Sequence, residues 1–218
     1  MAKQEVTILK KVKNGVLYSD GTIRVERVRL SYPHVGKLHA IRDTKTGEMG
    51  KPLFSVTLLL NKTEHKEVCA IITENNKRLM AENDCEKVKA DAKFIRDGDG
   101  ELVDSEEAKG HWTVSCRESR KPVVMSKSGD LLDADAAEQM FYGGCWGHVI
   151  IRPWYQETKE YGKRLNCGFV SVRFFRDDES FGEGRISADE VKNRFSDIED
   201  DDDSGFATAD MAEDDDDL

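Results

Sequence analysis

Alternating apolar and polar positions predict a chain made mainly of β-strands. From Ile23 to Leu30, apolar and charged residues alternate, with an irregularity near Arg27. The stretch from Leu53 to Leu60 is rich in β-forming residues and ends in a continuous apolar run. Strand-like patterning returns in three later stretches, at 112–116, 144–155 and 165–176. Several strands in one chain of this length favour an all-β domain.

One segment has the period of an amphipathic helix. Asn61 precedes Glu64 by three positions, a spacing typical of a capping box. One helical face then carries Val68, Ile72, Asn75 and Leu79. We therefore predict one main helix over about 63–82, and a second, shorter helix from Ser187 to about Phe195.

The segment 85–110 is charged and poorly periodic, with a turn at 97–100, and we interpret it as a surface insertion. Only one predicted helix separates strands, so the repeated crossovers of a parallel sheet are missing from the pattern. The pattern is typical of a small closed β-barrel with one intercalated helix.

Charge divides the chain into two parts. The 218 residues carry 33 Lys plus Arg and 43 Asp plus Glu, a net charge of -10. Residues 197–218 hold 12 acidic and no basic residues, which leaves 33 basic and 31 acidic in 1–196. We therefore predict a folded domain over 1–196 and a disordered acidic tail over 197–218. The tail also carries apolar side chains, among them Phe206, Met211 and Leu218.

The folded part is itself uneven in charge. Residues 1–65 carry 12 basic and 6 acidic residues, and residues 141–176 carry 6 and 2. Residues 66–107 carry 7 basic and 12 acidic residues. Two basic stretches beside an acidic tail can bind a polyanion and regulate that binding. A tail that only keeps the protein soluble is the alternative interpretation.

The sequence offers no candidate catalytic or metal centre. The five cysteines lack C-x-x-C spacing and are typical of small buried residues in a reducing compartment: Cys69, Cys85, Cys116, Cys145 and Cys167. Phosphate-binding, dinucleotide-binding, zinc-protease and serine-hydrolase motifs are missing. No apolar window is long enough for a membrane span, and the first residues do not form a secretion signal. We expect a protein of the cytoplasm that is not an enzyme and has no cofactor or metal.

The stretch 144–155 is the most informative part of the chain. Its two-residue period places one small, apolar set on a single face: Cys145, Gly147, Val149 and Ile151. The opposite face alternates rings with polar and cationic groups: Trp146, His148, Ile150, Arg152 and Trp154. Unpaired bases stack on such rings while cations neutralise phosphates, so this face is typical of a single-stranded nucleic-acid site. Alternatively, the two tryptophans are partly buried beneath a helix or loop.

Three further stretches supply candidate contacts. Each combines cations or rings with a strand end or a polar hairpin, and they are Arg117, Arg120 and Lys121; Tyr161, Lys163 and Arg164; and Tyr32 with His34. None of them lies on a helix that could enter a DNA groove and read bases. This arrangement predicts weak base discrimination.

An ordered set of motifs resembles a known family. They are Leu30-Ser-Tyr-Pro-His-Val35, Lys51-Pro-Leu-Phe-Ser-Val-Thr-Leu-Leu-Leu-Asn-Lys62, Arg120-Lys-Pro-Val-Val124, Phe141-Tyr-Gly-Gly-Cys-Trp-Gly147 and Asn166-Cys-Gly-Phe-Val-Ser-Val-Arg-Phe-Phe-Arg-Asp177. Together they resemble the single-stranded-DNA-binding proteins of tailed bacteriophages, over roughly residues 22–185 and in the character of the tail.

The resemblance implies an OB-fold-like barrel with DNA in a basic, aromatic groove. By position it adds Trp112 to the candidates and supports Tyr32, Lys121, Trp146 and Trp154. It also implies a role in phage DNA replication and recombination, in the host cytoplasm. The acidic C-terminus would modulate DNA binding and recruit replication proteins such as polymerase or helicase. The tail residues concerned are Asp200, Asp201, Asp202, Asp203, Asp214, Asp215, Asp216, Asp217 and Leu218.

Two other functions are compatible with the composition. A DNA mimic would use acidic surface to occupy another protein's DNA site. A metal-dependent DNA-processing enzyme would use some of the many carboxylates, although the densest of them fall in the predicted tail, where catalytic groups are not held rigidly.

Overall fold

The structure, a computed structural model, describes residues 5–42, 47–182 and 192–196. The described strands are β1 (Ile8–Val12), β2 (Gly15–Tyr18), β3 (Ile23–His39), β4 (Leu53–Asn61), β5 (Ile95–Asp97), β6 (His111–Glu118), β7 (Val123–Met125), β8 (Trp146–Thr158) and β9 (Gly162–Arg176). The helices are α1 (Lys66–Glu82) and α2 (Ala134–Met140). Among the described residues, no helix is both long and apolar enough to cross a membrane.

The strands form one open, mixed sheet. Its order is β5-β6-β4-β3-β8-β9-β7, with β2 paired to β3 and β1 paired to β2. All pairings between strands are antiparallel except that of β7 with β9. The prediction of a mainly β protein with few helices is confirmed.

A β-bulge explains the irregularity near Arg27. Arg27 has a positive φ of 52°, and the register between β3 and β8 shifts between Val25 and Val28. The extra residue turns the chain so that residues on both sides of the bulge face the core. Ile23, Val25, Val28 and Leu30 are therefore all buried.

The segment 85–110 is not a surface insertion, and that prediction is wrong. It buries five apolar side chains: Cys85, Val88, Ala92, Phe94 and Ala108. Its strand β5 pairs with β6, and the Phe94 N–H donates to the Leu165 carbonyl in β9 at 3.0 Å. The Ser115 N–H of β6 donates to the Phe94 carbonyl at 2.9 Å. Irregular spacing hid this role, because two 3₁₀ turns at Ala90–Ala92 and Glu106–Ala108 interrupt the strand period.

Helix α1 confirms the main predicted helix, with a start at Lys66. The Asn61 Oδ1 accepts hydrogen bonds from the N–H groups of Thr63 and Glu64 at 3.0 and 3.1 Å. Asn61 therefore closes the turn before the helix, and His65 occupies the helix N-cap. The helix buries one face against the sheet, through Val68, Cys69, Ile71, Ile72, Asn75 and Asn76.

Besides β5, four elements were not predicted: strands β1, β2 and β7 and helix α2. The sequence does not predict the β1–β2 hairpin, because apolar and polar residues do not alternate in β1. The adjacent Ile8 and Leu9 are both exposed in the structure. Helix α2 carries a local signal, since the Asp133 side chain accepts from the Ala136 N–H at 2.9 Å as an N-cap. Strand β7 has only three residues.

Two compact units divide the chain, Met1–Glu183 and Gly184–Leu218. Of the second unit, the structure describes 192–196, where the Phe195 N–H donates to the Lys192 carbonyl at 3.2 Å in a helical turn. The rest of the predicted helix at 187–195 lies outside the described residues, as does the predicted acidic tail at 197–218.

Candidate functional site

Strand β8 has the two faces that its sequence predicts. Cys145, Gly147, Val149 and Ile151 are buried, and they belong to the side that packs into the core. The opposite positions are half-buried or exposed: Trp146, His148, Ile150, Arg152 and Trp154. This second face is the wall on which the candidate site is built.

A cleft of about 600 Å³ lies beside the far end of β8. The end of β6, the paired strands β8 and β9, and the segment 93–96 form its walls. Seven cationic side chains line it: Lys51, Lys93, Arg96, Arg117, Arg120, Arg152 and Arg164. None of the seven forms an ion pair with another described residue. Their charges are therefore available to a polyanion. We call this region the basic cleft.

Glu118 is the one carboxylate among the residues lining the basic cleft. Its Oε1 accepts hydrogen bonds from the N–H groups of Ser119 and Arg120 at 2.9 and 3.2 Å. Gly168 leaves room for it, because a Cβ at that position would come within 2.8 Å of the Glu118 Oε2. This carboxylate thus stabilises the turn after β6, and it forms no ion pair with the cations around it.

Trp154 is the aromatic side chain at the mouth of the basic cleft. It is 43% exposed and lies opposite Asn166 in the β8–β9 pairing. Asn166 Nδ2 donates to Gln156 Oε1 at 2.8 Å, which fixes the polar wall beside the indole. An indole on a rigid strand with guanidinium groups nearby can stack a base while cations hold the phosphates. The site can therefore bind a flexible polyanion that carries aromatic rings.

Trp146, at the other end of β8, is held by protein partners. Its Nε1 donates to Asp178 Oδ2 at 2.5 Å, and the Arg176 guanidinium lies 4.7 Å from its ring centroid. The Trp146 hydrogen bond outweighs partial burial and lowers the pKa of the Asp178 carboxyl. Trp146 lies outside the basic cleft, on the same outward face of β8.

The histidine candidates also lie outside the basic cleft. His148 makes an edge contact with Phe175 at 5.1 Å, and burial lowers its pKa. His34 stacks on His39 at 4.0 Å between ring centroids, and burial, followed by repulsion from His39, lowers the pKa of His34. Both imidazoles are therefore neutral at pH 7.

Tyr32 and Trp112 are placed very differently. Tyr32 is 72% exposed and has a positive φ of 46°, at a register shift in β3. Trp112 packs partly buried against the core and lines a separate groove beside α1. The Lys62 ammonium lies 5.2 Å from the Trp112 ring centroid. Neither ring lines the basic cleft, and their contact with nucleic acid stays a prediction.

The structure thus brings five predicted residues together in the basic cleft: Arg117, Arg120, Arg152, Trp154 and Arg164. Three more are exposed and close in sequence to lining residues but do not line it themselves, and they are Lys121, Tyr161 and Lys163. Three lining cations were missed by the sequence analysis: Lys51, Lys93 and Arg96. The sequence carries a signal for Lys93 and Arg96, because the stretch Lys93-Phe94-Ile95-Arg96 places these basic residues on either side of an apolar pair that includes the buried Phe94. Lys51 stands before Pro52 at the start of β4.

The described residues contain no group of three or more His, Cys, Asp or Glu side chains placed to hold a metal ion. All five cysteines are buried with free thiols. Burial raises the pKa of Cys69 and of Cys145 to about 11, so both thiols are protonated at pH 7.

Comparison with known proteins shows the family. The family described as Enterobacter phage Enc34, ssDNA-binding protein, matches residues 22–205. The solved single-stranded DNA-binding protein from bacteriophage Enc34 is 40% identical, with a TM-score of 0.73, over 86% of this chain and 99% of that chain. Its complex with ssDNA and its C-terminal truncation match equally well, each over 83% of this chain and 100% of that chain.

No curated protein sequence matches the chain. The family match nevertheless covers most of the 218 residues, and it confirms both the resemblance found in the sequence and the prediction that the protein is not an enzyme. The chain therefore belongs to the family of the Enterobacter phage Enc34 single-stranded-DNA-binding protein.

Proposed function

We propose that this protein binds single-stranded DNA with little sequence specificity through the basic cleft. The observation that carries the proposal is the set of seven cationic side chains, free of ion pairs with described residues, around the exposed Trp154. The solved relative in complex with ssDNA supports the choice of ligand. Each phosphate neutralised by a cation releases a counterion, and each base stacked on an aromatic ring contributes about 1–3 kcal/mol.

Preference for a single strand follows from the exposed indole. In a duplex the base faces are already stacked on each other, so Trp154 would gain little there. Weak sequence discrimination follows from the lining, since its seven cations are spread over four strands and three connecting segments. Such groups contact phosphates and do not form a fixed pattern against base edges.

The outward face of β8 provides a path beyond the basic cleft. Trp154 and Trp146 are separated by about 26 Å along the strand, at about 3.3 Å per residue. Between them stand His148, Ile150 and Arg152, with Arg173 opposite His148 on β9. We infer that the bound strand runs along this face, which would bring His148 and Trp146 into reach.

We further infer that the strands form an OB-fold-like barrel. The pairings trace an open sheet, and the hydrogen bonds of Phe94 to β6 and β9 join strands that lie apart in that order. A barrel of this kind would hold the strand, protecting and organising it during phage DNA replication and recombination in the host cytoplasm.

The acidic tail would regulate this binding. Residues 197–218 carry 12 acidic and no basic residues, so they can compete with DNA for the basic cleft. A tethered competitor acts at an effective concentration of about millimolar, so even weak pairing raises the apparent dissociation constant. DNA binding would release the tail, and its acidic runs and Leu218 would then be free to recruit a polymerase or helicase.

A salt-dependent titration tests the proposal. Full-length protein and a variant ending at Ser196 are titrated with single- and double-stranded oligonucleotides at several salt concentrations. We expect single strands to bind more tightly, affinity to fall with salt, and the truncation to bind more tightly with less discrimination against duplex. Unchanged affinity at low salt after truncation would contradict the role of the tail. Failure of both proteins to bind oligonucleotides would contradict DNA binding itself and favour the DNA-mimic alternative.

A further inference from the structure

A second cavity, of about 920 Å³, lies between α1 and the strands β5 and β6. Its floor is apolar and consists of the buried Cys69 and Leu165 and the partly buried Met80, Ile95 and Trp112. Ala70 and Thr73 extend the floor along the exposed side of α1. We call this cavity the helix groove. It has the size and lining of a site for one large apolar side chain and its neighbours.

The rim of the helix groove is cationic. Lys66, Lys77 and Lys93 line it, and none of them forms an ion pair with another described residue. Of the carboxylates on the rim, Glu74 already bonds Lys10 at 3.2 Å, and Glu86 is the other. The lining thus suits a segment in which a large apolar residue is flanked by acidic ones.

This chain contains such a segment at its own C-terminus. Phe206 follows the acidic run 200–203 and precedes Asp210 and the acidic run 213–217. From Gly182 to Phe206 the chain has 24 residues, which can span up to about 80 Å when extended. The length of the chain therefore allows Phe206 to reach any surface of the domain.

We propose that Phe206 docks in the helix groove, with its acidic neighbours on the lysine rim. The proposal rests on the function proposed above and specifies how the tail acts. Lys93 and Leu165 line both the helix groove and the basic cleft, so the two cavities adjoin. A Phe206 held in the helix groove keeps the acidic runs beside the basic cleft, where they compete with DNA. The apolar contact of Phe206 would thus hold the tail on the domain, and the charge of the acidic runs would compete with DNA.

Two substitutions in α1 form a matched pair for the test. Ala70→Glu places a carboxylate on the floor of the helix groove, whereas Ala81→Glu adds the same charge on an exposed part of the same helix outside it. Glutamate is a good helix former, so both variants should fold. A carboxylate added near a DNA site should by itself weaken DNA binding, so any tightening by Ala70→Glu is diagnostic.

Oligonucleotide affinity is measured for the full-length variants and for the same variants ending at Ser196. We expect Ala70→Glu and Phe206→Ala to tighten binding at least threefold in the full-length protein, and Ala81→Glu not to tighten it. In the truncated background Ala70→Glu should lose its advantage over Ala81→Glu. Tightening by truncation without any difference between the two α1 variants would overturn docking in the helix groove and leave the proposed function standing.

A labelled peptide of residues 197–218 provides a readout without DNA. Its fluorescence anisotropy is measured as the truncated protein is added, and the titration gives the affinity of the peptide. We expect Ala70→Glu in the protein and Phe206→Ala in the peptide each to weaken this affinity at least tenfold. Ala81→Glu should change it by less than threefold. Equal binding to both α1 variants would overturn the proposal, even if DNA binding fails altogether. The proposal would also be overturned if Ala70→Glu dissociated a dimer of the protein without changing its affinity for the peptide. The helix groove would then be an interface between two copies of the chain.

Discussion

Trp146 and Trp154 lie on the same outward face of β8, yet of the two only the Trp146 indole is held by other described side chains. The Trp146 indole donates to Asp178 at 2.5 Å and lies under the Arg176 guanidinium. Trp154 lines the basic cleft and forms no hydrogen bond with a described residue through its indole. We therefore expect these two residues of the same type on one strand to have separable roles, one mainly in holding the fold and one in binding.

Trp154→Ala should weaken single-stranded DNA binding by about 5- to 150-fold, the loss of one stacked base at about 1–3 kcal/mol. The melting temperature should change little, because the indole is largely outside the core. Leu131→Ala, which removes another exposed apolar side chain outside the basic cleft, is the control for both measurements. Loss of stability with unchanged affinity would show that Trp154 is a core residue.

Arg152→Gln should remove one phosphate contact. For a single strand, the slope of log affinity against log salt should become shallower by about 0.7. Lys11→Gln removes a cation of the same charge from β1, outside the basic cleft, and should leave the slope unchanged. Titration at four or more salt concentrations measures both slopes, and equal slopes for the two variants would show that the basic cleft does not hold phosphates.

Asp178→Ala should lower the free energy of unfolding by about 1 kcal/mol at pH 7. A buried hydrogen bond to a charged group contributes about 1.5–3 kcal/mol. We expect a smaller contribution here, because solvent reaches the Asp178 carboxylate and screens its charge. Because the pKa of Asp178 is lowered in the folded protein, its contribution is present above the unfolded value of 3.8 and is lost as pH falls through the lower folded value.

Denaturant unfolding of the wild type and of Asp178→Ala at pH 7 and below pH 3 measures this contribution. The difference should shrink at the lower pH. Glu101→Ala, at an exposed carboxylate in a turn, should show no difference at either pH. A difference for Asp178→Ala that stays constant with pH would mean that packing of the side chain, and not its charge, stabilises the fold.

Gly144→Ala should destabilise the protein by about 3 kcal/mol or more. Gly144 has a φ of +109°, and a Cβ there would lie 2.2 Å from the Glu179 carbonyl oxygen. Gly162→Ala is a matched control, since Gly162 has a φ of +65° with no atom near the added Cβ. It should cost about 1 kcal/mol, the backbone contribution alone. Thermal unfolding of the two variants separates steric conflict from conformational cost.

Much of this fold could be predicted from local periodicity. The alternation in 144–155 identified both faces of β8, and the break near Arg27 proved to be a β-bulge. The main helix was also predictable, because Val68, Ile72 and their neighbours repeat at helical spacing. Each of these signals lies within one element, where side-chain direction follows directly from the backbone.

The basic cleft was only partly predictable, because its walls come from distant parts of the chain. Lys93 and Arg96 reach it through the contact of Phe94 with Leu165, across about 70 residues of sequence. The segment that carries them has turns of 3₁₀ helix and no regular period, so it resembled a surface insertion. Trp112 does not line the basic cleft. Its side chain lies on the same side of β6 as the buried Val114 and Cys116.

Seven like charges on one concave surface have a consequence for the protein without DNA. In dilute electrolyte the ammonium and guanidinium groups repel each other, and this repulsion opposes folding. Dissolved anions screen it, within a Debye length of about 10 Å at 0.1 M ionic strength. The melting temperature should therefore rise when multivalent anions such as pyrophosphate are added. Because these anions carry no base to stack on Trp154, the rise would come from their charge alone. The same crowding of positive charge that prepares the domain for a polyanion makes its folding sensitive to the salt around it.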